Sequence, residues 1–102
     1  MENEVIYSYT DEQAVADGVL VDTRQLLGHL GISRVTRAVW DHYVTDMGKG
    51  LVQDVTKLIR TAEKVKQVRP EDGWYIYKED SITLWCIPNE IDSLTLMFPE
   101  DY

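Results

Sequence analysis

The clearest hydrophobic pattern in the chain runs from Leu51 to Val65. Leu51, Val52, Val55, Leu58, Ile59, Ala62 and Val65 recur at the spacing of one helix face, and Lys57, Arg60 and Lys64 occupy the opposite face. The spacing predicts a helix that begins after the Gly48-Lys-Gly50 break and ends near Lys64 and Lys66, where cations suit the helix dipole. A second periodic segment, Val39, Tyr43 and Met47 with Trp40 and Val44 beside them, predicts a helix from Arg37 to about Met47, capped by Thr36.

The period changes after the turn-rich stretch Arg69-Pro-Glu-Asp-Gly73. Trp74-Tyr-Ile-Tyr77, Ile82-Thr-Leu-Trp-Cys-Ile87 and Leu94-Thr-Leu-Met-Phe98 read as three strands, joined by links short enough for antiparallel hairpins. In the middle strand Ile82, Leu84 and Cys86 alternate with Thr83, Trp85 and Ile87.

The amino-terminal block is dense in local signals. Glu4-Val-Ile-Tyr-Ser-Tyr9 reads as a strand, and Thr10 as an N-cap with Asp11 and Glu12 in the first helical turn. Gln13 stands at the reciprocal capping-box position, and Gly18 at the residue past the helix end. Val19-Leu-Val21 reads as a buried extended segment. Asp22 or Thr23 then caps a helix from Arg24 to Leu30, weakened by Gly28 and stopped by Gly31.

Together these elements predict one α+β domain over residues 1–102, with a helical half at about 10–68 and a strand half at about 74–98. Its sheet is expected to be three- or four-stranded and antiparallel: the carboxy-terminal meander, with the amino-terminal strand as the fourth. Two to four helices pack on one face.

Charge qualifies this picture. Residues 1–22 carry six carboxylates and no cation; residues 23–70 carry nine basic against four acidic residues; residues 71–102 carry eight acidic against Lys78. The net charge of -8 speaks against a general nucleic-acid binder, which needs a dominant basic footprint. It suits a basic protein partner or a plain solvated surface. One cysteine, Cys86, permits no internal disulfide and fits a reducing compartment. No apolar run approaches a membrane span, and the acidic start is unlike a secretory signal, so the expected location is the cytoplasm.

Ile6-Tyr-Ser-Tyr-Thr10, Gln13-Ala14, Ala16-Asp-Gly-Val-Leu-Val-Asp22 and Val35-Thr-Arg-Ala-Val-Trp40 resemble a family of small proteins of unknown function found in bacteria, plasmids and bacteriophages. The close Leu96-Met-Phe-Pro-Glu-Asp-Tyr102 is similar too. The chain departs from the family at Asp11, where many members carry a basic residue, and in a shorter link after Trp40. The resemblance implies a habitat, mobile elements and their hosts, and no catalytic or ligand residues.

Candidate chemistry is sparse. His42 lies near Asp41 and Asp46, but two ligands make no metal site, and no zinc or EF-hand spacing is present. Cys86 sits mid-strand among apolar residues, where a free cysteine is commonly inert. Glu12, Asp17 and Asp22 have the residue types of an acid/base cluster, or of turns and caps. Gly48-Lys-Gly50 lacks the phosphate-loop pattern. Tyr7, Tyr9, Trp74, Tyr75 and Tyr77 suit either an interface or a small core.

The expected function is therefore that of a non-enzymatic protein-binding module without cofactor or metal. Asp11, Glu12, Asp17, Asp22, Lys57, Arg60 and Lys64 are the candidate contact residues, and a homodimer is a further candidate arrangement. A sharper version is an inhibitor of a host nucleic-acid or defence enzyme. The alternative is a weak nucleic-acid or small-ligand binder using Lys57, Arg60 and Lys64.

Overall fold

The computed structural model describes residues 10–46 and 53–102. The expected strand at Glu4–Tyr9, the tyrosines Tyr7 and Tyr9, and the Gly48–Gly50 break lie outside these residues.

Thr10 caps α1 (Asp11–Ala16) as its neighbours dictate. Its hydroxyl accepts from the Gln13 N–H at 3.2 Å, and the Gln13 side chain accepts from the Thr10 N–H at 3.3 Å. Gly18 follows with φ +79°, a conformation open to glycine, and turns the chain into β1 (Leu20–Asp22). Asp22, not Thr23, satisfies the start of α2 (Arg24–Leu27): its Oδ1 accepts from the Arg24 N–H at 3.0 Å. A 3₁₀ turn, Gly28–Leu30, leads through Gly31 into β2 (Ile32–Thr36).

β2 is the principal departure from the expected architecture. All five of its residues are buried, although Ser33, Arg34 and Thr36 are polar. It lies between β1, which pairs with it antiparallel, and β7 (Leu94–Met97), which pairs with it in parallel. β5 (Tyr75–Glu79), β6 (Ile82–Pro88) and β7 form the expected antiparallel meander. Among the described residues the sheet is therefore mixed and five-stranded, in the order β1-β2-β7-β6-β5, rather than a three- or four-stranded antiparallel one.

The two later helices are also redrawn. α3 runs Arg37–Tyr43 and stops short of Met47, because Val44 turns extended and Thr45–Asp46 (β3) pairs with Gln53–Asp54 (β4). α4 spans Thr56–Gln67 rather than starting at Leu51; the Asp54 carboxylate takes the Thr56 N–H at 2.9 Å and fixes that start.

Register decides which face each strand residue meets. The β2–β7 ladder slips between Ile32 and Arg34, so Ile32 and Val35 both point toward the helices. They join Leu27 of α2, Val39 of α3, Leu58, Ala62 and Val65 of α4, and Leu84, Cys86 and Leu96 in one core, each fully buried. α2, α3 and α4 thus cover one face, as expected. α1 does not: its Asp11 and Ala14 lie with Arg34 and Leu20 on the opposite face. No described helix is long and apolar enough to cross a membrane.

Candidate functional site

The four acidic candidates have different fates. Asp11 is buried and bound in two prongs by Arg34, whose Nε and Nη2 reach its carboxylate at 3.0 and 2.7 Å. The same guanidinium donates from Nη1 to the Ser33 carbonyl at 3.0 Å and approaches Asp22 at 3.2 Å. Asp22 also takes Arg24 Nη2 at 2.7 Å. Hydrogen bonds from the Arg24 side chain and backbone, with the charge of Arg34 beside them, hold its carboxyl down to about 2. Asp11 and Asp22 are thus engaged within the chain, whereas Glu12 and Asp17 are exposed.

The basic candidates lie along the outer face of α4. Lys57 and Arg60 are exposed, and both lie in the field of the Asp54 carboxylate, which is held below its usual range by the Thr56 hydroxyl and N–H and by those two cations. Lys64 Nζ is 3.8 Å from Glu79 of β5. Each candidate cation is therefore matched by a nearby carboxylate. The acidic and basic candidates do not converge: one set surrounds α1, and the other lies on the helix layer of the opposite face.

The structure shows a concavity that the sequence reading missed. On the face of the sheet carrying α1, a groove of about 350 Å³ is floored by Leu20, Ile87, Thr95 and Met97. Ala14 and Asp11 of α1 form one wall, and Trp74 and Tyr102 form the other. Trp74, Trp85 and Tyr102 brace one another at ring-centroid separations of 5.5 to 5.9 Å, so the aromatic wall is built rather than incidental. Among the described residues no lysine or arginine lines the groove; the charged ones are Asp11, whose carboxylate Arg34 already holds, and Glu90.

The end beside α1 is fixed by a polar network. Glu90 Oε2 takes the Asp11 N–H at 2.7 Å. Asn89 donates to Ser33 Oγ at 3.2 Å and Thr95 Oγ1 at 3.0 Å, while its carbonyl oxygen accepts from the Ile91 and Ser93 N–H groups. The only advance signal of the groove was apolar content on both faces of β6, with Trp85 and Ile87 opposite Leu84 and Cys86, which requires cover on both sides.

The remaining chemical candidates are plain. Cys86 is buried in the core, and that burial pushes its thiol up to about 12. His42 is exposed and packs edge-on to Tyr43 and Phe98. Tyr75 and Tyr77 pack against the core beneath α4, apart from Trp74. Among the described residues, no three His, Cys, Asp or Glu side chains are grouped to hold a metal ion.

In comparisons with known proteins, the chain matches no family model, no curated protein and no solved structure.

Proposed function

We propose that the chain is a non-enzymatic protein-binding module whose contact surface is the groove between α1 and the Trp74–Trp85–Tyr102 wall. The observation that carries this reading is the groove itself: an apolar floor, a braced aromatic wall and, among the described residues, a rim with the Glu90 carboxylate and no lysine or arginine. Buried aromatic anchors and shape dominate protein recognition, while rim charge selects the partner. The occupant that fits is a peptide segment with one large apolar side chain next to lysine or arginine. Its sharper form, an inhibitor of a host nucleic-acid or defence enzyme, draws on the net charge of -8 and on the mobile-element habitat that the family resemblance implies. The basic face of α4 supports a nucleic-acid reading less well, because Asp54 and Glu79 stand beside its cations.

The test is selection of a random peptide library on the immobilised full chain. Enrichment of an apolar residue flanked by Lys or Arg is expected. Affinity for the enriched peptide should fall about tenfold in Glu90→Lys and stay unchanged in Arg60→Glu. No enrichment, or binding that depends on Arg60, overturns the reading.

A further inference from the structure

The edge of the sheet at β5 carries an inference independent of the groove. β5 runs for five residues in unbroken register with β6, and among the described strands none pairs with its outer side. The opposite edge strand, β1, is only three residues long. Natural sheets blunt long edges with lysine, proline, bulges or cover, because unpaired N–H and C=O groups recruit another strand, and of the residue devices β5 carries the lysine, Lys78. β5 has no proline and no bulge, and its exposed apolar residue, Ile76, is 39% accessible.

We infer that β5 pairs antiparallel with β5 of a second copy of this chain, about a two-fold axis at Tyr77. Only an axis through a residue pair sets the outward-pointing backbone groups of both strands against each other. Among such axes, the one at Tyr77 overlaps all five residues. It sets Tyr75 opposite Glu79 of the second copy, and Ile76 opposite its Lys78.

The side chains suit that register. Lys66 Nζ sits 4.0 Å over the Tyr75 ring, so the incoming Glu79 arrives beside a cation. Directly opposed side chains in antiparallel strands have Cβ atoms about 4.5–5.5 Å apart, close enough for this carboxylate and ammonium to pair. Glu79 has one cation nearby in its own chain, Lys64 at 3.8 Å, and would gain a second. On the other face, the aliphatic stem of Lys78 would cover Ile76, the neighbour of Trp85 across the β5–β6 ladder. The pairing repeats identically on both sides of the axis, as a two-fold interface requires. The result is a ten-stranded sheet with two copies of each face.

The experiment is sedimentation of the full chain over a concentration series up to millimolar, with charge variants at exposed Glu79 and half-buried Lys66. A concentration-dependent rise toward dimer mass is expected. Glu79→Lys and Lys66→Glu should each weaken the dimer about tenfold, and the double exchange should recover most of the loss. In parallel, Tyr77→Cys should form an interchain disulfide on mild oxidation, because opposed Cα atoms in antiparallel strands fall within disulfide range. Asp17→Cys, exposed beside β1 at the opposite edge of the sheet, should not. A monomer at millimolar concentration, an unrecovered double exchange, or equal cross-linking at both cysteines overturns the inference.

Discussion

Arg34 and Asp11 form a buried two-pronged ion pair, with both side chains 8% exposed and the shortest N–O separation at 2.7 Å. The pair fastens α1 to the second face of the sheet through residues 23 positions apart. Removing one partner of such a pair strands a buried charge, which costs about 3–5 kcal/mol. Asp11→Asn is therefore expected to lower unfolding free energy by about 3 kcal/mol, the low end of that range, because Asp22 still approaches Arg34 at 3.2 Å. Asp11→Asn with Arg34→Met should recover much of the loss. Urea titrations of the two variants check this.

Asn89 is expected to behave as a structural keystone rather than a loop residue. Its side chain serves two hydroxyls and two backbone N–H groups at once. Asn89→Ala leaves Ser33 and Thr95 without that donor and should cost about 1–3 kcal/mol. Amide exchange at Ile91 and Ser93 should quicken in the variant, and unchanged protection there would refute the assignment.

The Asp22 carboxyl links stability to acid. Its folded value of about 2 lies below the ordinary aspartate value of 3.8. A depressed carboxyl stabilises the fold above the unfolded value and loses that contribution as pH falls through the folded one. Asp22→Asn should therefore destabilise at pH 7 and make little difference below about pH 2. Its side chain is 39% exposed, so solvent screening limits the effect to under about 1 kcal/mol. Thermal melts of both proteins across the acid range test the convergence.

Cys86 should be silent in the folded chain. Burial raises its thiol to about 12, leaving almost no thiolate near neutrality. Alkylation by iodoacetamide at pH 8 is expected only at the rate of unfolding, and urea should accelerate it strongly. Prompt labelling of the native protein would contradict the burial of this side chain.

What the sequence made legible was what local physics decides. The Thr10–Gln13 capping box, the Gly18 stop and the amphipathic run of α4 depend on residues within a few positions of one another. β2 escaped because Ile32-Ser-Arg-Val-Thr36 puts three polar residues where a buried strand favours apolar ones. Its polarity is satisfied from afar: Arg34 by Asp11, Ser33 by Asn89, and the Thr36 hydroxyl by Asp101 at 2.7 Å. The groove was hidden for the same reason, since its walls come from α1, the approach to β5 and the chain end. The acidity of the first block was visible, but not that Asp11 and Asp22 would be held by one buried arginine.

The parallel β2–β7 ladder also sets the order in which the protein can be made. Ile32 finds its sheet neighbour at Leu94, and Thr36 its carboxylate at Asp101. A ribosome releasing the chain from its amino end exposes β2 long before β7 exists. Closing that long loop carries an entropic cost that grows with the logarithm of its length. The emerging half therefore holds β1 and β2 as an unfinished ribbon, and folding of the central sheet waits on the synthesis of β7.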